Sequence, residues 1–256
     1  MTTISPETLA LPIAMAVAAG LVGCFAVMRR MTLASDAISH VALPGIGVAL
    51  VLRINPLVGG VAALVVGTLL VWGLEHRTKL PTEAVIGVVF SAALAVGSML
   101  TSGEELIEAL FGAARRPGLL ELTLGCAGAV LVVVFVLRAR SRLVIALVSS
   151  DLARTVGIDV RRLDLVYLLA FALTVALGLR YLGVLLMGSL IIIPATTARY
   201  VARSLGSMLI VAVVVSVAST LLGTLGAPLL RVATGPLIIS LAAAFFLLGL
   251  LGRRHA

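Results

Sequence analysis

Apolar runs of about twenty residues fill almost the whole chain, and each is closed by a charge or by a proline or glycine. A helix of that length crosses roughly 30 Å of hydrocarbon at ~1.5 Å per residue. Cutting at the breaks predicts nine spans, at about 8–28, 36–53, 57–74, 83–101, 119–137, 164–181, 183–198, 205–226 and 235–251. Only Arg180-Tyr181 separates the sixth from the seventh, so eight spans fit as well. Sustained period-2 alternation, the mark of a transmembrane β-barrel, is missing. The predicted fold class is therefore an all-α polytopic membrane protein. The stretch 104–116, EELIEALFGAARR, is amphipathic and reads as an interfacial helix.

Composition sharpens this picture. Of the 256 residues 61% are hydrophobic and only 12% charged, whereas soluble domains lie near half apolar and a quarter charged. The net charge of +8 does not point to nucleic acid, because aromatics are 4% and offer no stacking platform. It follows instead from the positive-inside rule. With the N-terminus outside and the C-terminus inside, only Arg53, Arg115, Arg116, Arg180 and Arg231 of the 19 Lys and Arg face outward. The first run has no basic region before it and ends in Arg29-Arg30, so it reads as a retained span rather than a cleaved signal.

In this orientation the longest polar connection, 138–163 (RARSRLVIALVSSDLARTVGIDVRRL), is cytoplasmic. Ser150 or Asp151 is placed to cap a short helix running to about Val156, and Gly157 to end it. A capped helix between basic clusters suits docking of a cytoplasmic partner; an ordinary positive-inside loop fits the composition too. The chain has no GxxxxGK[ST] motif, so any nucleotide energy must come from another protein. HExxH and a Ser/His pair at useful spacing are also missing, which argues against a zincin-type protease and a hydrolase.

The candidate chemistry lies in RRMTLASDAISHVALPGIG, residues 29–47. Ionisable side chains inside a span are expensive and mark paths or pairs. Asp36 and His40 are four apart, which places them on one helix face. A carboxylate and an imidazole there suit Zn²⁺, Mn²⁺ or Fe²⁺. Two ligands are few, but a two-fold dimer with this face on its axis supplies two of each. If the helix starts at Thr32, Asp36 lies ~9 Å and His40 ~15 Å beyond Arg30. In the alternative, Ser35 or Asp36 merely caps the span and His40 is a satisfied buried histidine.

Pro44-Gly45 follows at once and predicts a helix break, tolerated at membrane depth where it lines a cavity. Gly183 to Pro194 is a similar stretch of small residues with a late proline. Thr234-Gly235-Pro236 reads as a helix start or a simple turn. Glu83 suits the first turn of the fourth span. His76 and His255 sit in basic, solvated contexts, and Cys24 and Cys126 in apolar runs as small hydrophobes.

RRMTLASDAISHVALPGIGVAL resembles the signature of the permease subunits of bacterial zinc/manganese/iron ABC importers, a basic pair followed by a (G/S)DxxxH element and a Pro/Gly stretch. EAVIGVVFSAALAVG, ALFG at 109–112, DLARTVGIDVRRLDLVYLLAFALTVALGLRYLGVLLMGSLIIIPATTAR and TGPLIISLAAAFFLLGLL resemble later elements of that family, in order along nearly the whole chain. Ser35 stands where many members have glycine.

The resemblance implies a vitamin-B12-importer-like permease fold, with 1–256 as one transmembrane domain and 138–163 as its cytoplasmic coupling loop. It implies a homodimer in the bacterial plasma membrane, partnered by cytoplasmic ABC ATPase subunits and an extracytoplasmic metal-binding protein. The chain is then a transport subunit and not an enzyme, and holds no permanent cofactor, only the transported zinc, manganese or iron. Asp36 and His40 match the metal-passage positions. Asp151, Leu152, Ala153, Arg154, Val156 and Gly157 match the helix that docks on the ATPase, while Pro44, Gly45 and Pro194 are the expected helix breaks along the path. Competing readings are an ion-coupled secondary metal carrier using Asp36 and His40 as a proton relay, and a permease for a siderophore- or cobalamin-type ligand.

Overall fold

The structure, a computed structural model, describes residues 6–31, 37–78, 80, 82–100, 118–179 and 182–253. Every regular element among them is helical. In chain order they are α1 (Pro6–Met28), α2 (Ala42–Val51), α3 (Pro56–Thr78), α4 (Thr82–Leu100), α5 (Leu119–Val148), α6 (Ser150–Thr155), α7 (Val160–Gly178), α8 (Gly183–Val201), α9 (Leu205–Leu230) and α10 (Thr234–Arg253). Six are long and apolar enough to cross a membrane: α1, α3, α4, α5, α9 and α10. Ala37–Val51 and Leu186–Val201 are shorter apolar helices, and α7 opens on Arg161, Arg162 and Asp164. The sixth and seventh apolar runs form separate helices, α7 and α8.

The bundle is built around α1. In Leu9–Met28, 72% is buried, against 17–39% in the other long apolar helices. Its sequence explains why. Ala16, Ala18, Ala19 and Gly23 keep the helix thin, so α5, α7, α8 and α9 all reach it. Phe25, Met15 and Val22 then fill the space between them, all fully buried. Outer helices carry large apolar side chains outward, among them Leu69 and Leu70 of α3, Val88 of α4, Leu131 of α5 and Leu248 of α10. Such a surface is stable only against lipid or another protein. The chain is a multi-pass membrane protein.

At α2 the interruption falls one turn before Pro44, at the carbonyl a proline N–H cannot reach. α2 begins at Ala42, so Pro44 lies in the first turn, where its missing N–H is not needed. The interruption is at Val41, whose N–H reaches back only three residues to Ile38 (3.1 Å). Gly45 makes a crossing: its backbone meets that of Gly59 on α3 so closely that a Cβ on either would overlap the other's carbonyl oxygen. Pro194, by contrast, does not break its helix but sits inside α8, which continues through it to Val201.

α5 differs as well. It does not stop near Leu137 but runs 30 residues to Val148, through the exposed Arg138, Arg140 and Arg142. The three arginines end the apolar stretch without ending the helix, because arginine is a good helix former. The connection 138–163 is therefore mostly ordered: the end of α5, all of α6 and the start of α7. The amphipathic stretch 104–116 falls outside the described residues.

Three helices end on an arginine in the left-handed region: Arg30 (φ 59°), Arg53 (φ 54°) and Arg231 (φ 54°). In each case the next N–H returns to a carbonyl of the last turn, Met31 to Ala26 (2.9 Å), Ile54 to Ala49 (2.9 Å) and Val232 to Ala227 (3.2 Å). This is the Schellman ending usually built on glycine, with the positive side chain set at the negative end of the helix dipole.

The Gly45–Gly59 crossing generates a test. Gly59→Ala is expected to destabilise the detergent-solubilised protein by about 1–3 kcal/mol in thermal unfolding, through overpacking. Gly73→Ala on the same helix, where a new methyl meets no atom within 4 Å, is expected to be neutral or stabilising by up to ~1 kcal/mol.

Candidate functional site

His40 ends the short helical turn that precedes α2 and is 8% exposed. Ile38, Ser39 and Val41 beside it are buried too. Its imidazole lies against Phe90 of α4, ring centroids 5.5 Å apart and tilted by 58°. Next to it a small apolar cluster of Val71, Val85 and Ile86 draws in Met31, Ala37 and Val89 from α3, α4 and the approach to α2. The histidine is therefore buried, with its ring against α4. Asp36, its expected partner, lies outside the described residues. Among the described residues no group of three or more His, Cys, Asp or Glu could hold a metal ion.

The segment expected to dock on a partner, 150–157, is fully described. The cap of α6 is Ser149, not Ser150 or Asp151. Ser149 is extended (φ −158°, ψ 119°), and its Oγ accepts the Leu152 N–H at 3.2 Å. Gly157 (φ 78°) closes the other end, with the Ile158 N–H donating to Ala153 O at 2.9 Å. Between the caps, Ala153 is fully buried against α5 and α7. Leu152 and Val156 are 52% and 59% exposed. Asp151 and Arg154 are 3.8 Å apart and largely solvated. The segment thus leaves two apolar side chains and one charge of each sign exposed.

A polar network that the sequence reading did not single out fixes the start of α7. Asp159 Oδ1 accepts the Arg162 N–H (3.1 Å) and caps the helix. Arg161 lies over the Trp72 ring at 4.7 Å, and its carbonyl accepts the Trp72 Nε1–H at 3.2 Å. His76, in the last turn of α3, stacks on Trp72 at 5.1 Å. One turn further on, Asp164 Oδ1 pairs with Arg29 Nη2 at 2.7 Å. The Arg29 guanidinium also lies 4.5 Å over the ring of Tyr167, whose hydroxyl donates to Val22 O at 3.1 Å. Arg199 of α8 donates to Val27 O (3.2 Å) beside it. Asp164 was legible by the rule that draws attention to Asp36, an acid at the edge of an apolar run.

Glu83 is in the first turn of α4, as predicted. Cys24 is buried and directs its thiol to Met208 O at 3.6 Å, while Cys126 is half-buried and also a free thiol.

Comparison with known proteins gives a consistent answer. A family model described as the ABC 3 transport family matches residues 3–253. The high-affinity zinc uptake system membrane protein ZnuB of Haemophilus influenzae is 30% identical over 240 residues, 91% of this chain and 91% of that protein. The chelated iron transport system membrane protein YfeD of Yersinia pestis is 34% identical over 241 residues, 92% of this chain and 80% of that protein. Among solved structures, PsaBC from Streptococcus pneumoniae in complex with Fab superimposes with a TM-score of 0.81 at 26% identity, covering 95% of this chain and 89% of that one.

Both ends of α6 depend on one residue each. Ser149→Ala is expected to cost about 1 kcal/mol of local stability, and Gly157→Ala a similar ~1–2 kcal/mol from left-handed strain. Amide hydrogen exchange should quicken across 150–158 in both variants and stay unchanged in α1.

Proposed function

The chain belongs to the ABC 3 transport family, and we propose that it is the membrane-spanning permease subunit of an importer for a divalent transition metal ion, zinc, manganese or iron(II). In this reading two copies form the channel. An extracytoplasmic binding protein delivers the ion, and cytoplasmic ATPase subunits dock on α6 and drive alternating access. The N-terminus is outside, the C-terminus inside, and the chain crosses nine times.

The observation that carries this reading is α6 itself. A chain with no nucleotide motif of its own holds out a short helix, capped at both ends, that leaves Asp151, Leu152, Arg154 and Val156 exposed. Such a knob suits a partner that supplies the energy. Contacts at the other helices support the orientation. Arg29, Arg161 and Arg199 meet α7, α3 and α1 at the ends where these approach one another, a single basic end as the positive-inside rule asks.

Asp36 and His40 are proposed as transit ligands. Oxygen and imidazole ligands accept all three metals without separating them. His40 supports a role in passage by its chemistry, because an imidazole placed inside the bundle can replace part of the hydration that a cation loses there. Two weak ligands per chain also favour release over retention. The names of the relatives, one a zinc system and one a chelated iron system, leave the ion to be measured.

The test is elemental. The gene is deleted and replaced by wild type or by Asp36→Ala/His40→Ala at matched expression, and cellular zinc, manganese and iron are measured after metal-limited growth. Wild type is expected to restore one metal and the double variant to restore less than about a tenth of that, the scale of losing ligands in a metal path. Restoration by both would reduce the pair to a cap and a buried histidine. Restoration of no metal by wild type would overturn the importer reading.

A further inference from the structure

α7 begins directly after the docking helix α6, separated only by Val156 to Asp159. Its first two turns are tied to two other helices. Arg161 joins α7 to α3 through Trp72, by stacking at 4.7 Å and by the 3.2 Å hydrogen bond to its carbonyl. Asp164 and Tyr167 join it to α1 by gripping Arg29 from two sides, a 2.7 Å ion pair and a ring 4.5 Å beneath the guanidinium. Asp164 and Tyr167 are three apart and so share a face.

Position along the chain gives this grip a direction. Arg29 is the first residue after α1. Arg30 turns the chain sharply in the left-handed region, and the segment that carries Asp36 and His40 follows. α3, the other helix held by α7, packs along α2, which continues from His40. Both flanks of the proposed metal segment are thus clamped to the helix that leaves the docking knob. The Arg29 side chain is only 11% exposed and that of Asp164 26%. A pair so shielded is far more rigid and directional than a surface ion pair.

We infer that the Arg29–Asp164 pair, seated on Tyr167, is the strut that carries movement of α6 to the segment bearing Asp36 and His40. Arg29 and Asp164 are positioning residues, which act through the helices they join. When docking shifts α6, α7 moves with it, and the strut drags the end of α1 and the turn at Arg30. Weakening the strut leaves docking and the metal ligands in place and disconnects one from the other. This inference rests on the importer reading above.

The test uses the complete transporter, this chain with its ATPase and binding protein, in proteoliposomes. Metal uptake and ATP hydrolysis are measured on the same vesicles. Asp164→Asn is expected to lower uptake about tenfold while hydrolysis stays within about twofold, so that ATP consumed per ion rises by the coupling lost. Arg29→Lys, which keeps the charge but not the forked guanidinium, is expected to raise the same ratio by about threefold and serves if Asp164→Asn fails to assemble. An unchanged ratio in an assembled variant, whether uptake is normal or falls in step with hydrolysis, overturns the strut and leaves the importer reading standing. A wild-type complex that hydrolyses ATP and moves none of the three metals overturns both.

Discussion

Hydrocarbon offers a backbone no hydrogen bonds, so every amide and carbonyl at membrane depth must be satisfied by the chain itself. Helices do this along their length and fail at their ends. The ends are accordingly where this protein spends its unusual conformations. Arg30, Arg53 and Arg231 take up the left-handed region at a cost of roughly 1–2 kcal/mol each, and each lets the following N–H close on the last turn. Glycine would meet the geometry more cheaply, but arginine adds a charge that the helix dipole favours and that anchors at the interface.

The same constraint explains why the polar contacts gather where they do. Arg29, Asp164, Tyr167, Trp72, Arg161 and Arg199 lie at helix ends or within two turns of one. There, partly out of water, ion pairs and stacked guanidinium groups hold more firmly than they would on a soluble surface. Deeper in the bundle, apolar packing around α1 takes over, with a hydroxyl such as that of Thr174 turned back onto its own helix carbonyl at 2.8 Å.

Much of this was legible in the sequence, because the membrane makes hydropathy and length speak directly. The apolar runs predict the helices, Gly157 predicts the end of α6, and Glu83 its place in the first turn of α4. Misreadings arose where one residue type serves two purposes. Pro194 signals a break but is carried inside α8, which continues to Val201. Arg138 ends an apolar run but does not end α5, since charge and helix propensity are independent. Ser149, rather than its neighbours, caps α6 because it alone is extended there. The Arg29–Asp164 pair joins residues far apart in sequence, and no local pattern records such a contact. Of the proposed ligand pair, the structure describes only His40.

The length of α5 sets a fixed standoff. Thirty residues make a rod of ~45 Å, and the apolar part from Leu119 to Leu137 uses about 28 Å of it, close to one hydrocarbon thickness. Arg138, Arg140 and Arg142 suit the level of the headgroups, and the remaining ~17 Å is unbroken helix. α6 is attached to the tip of that shaft, so its height above the lipid is set by a count of residues rather than by the thickness of the bilayer. A thicker or thinner membrane would tilt the spans and swing the tip sideways, while hardly changing how far it reaches beyond the apolar layer.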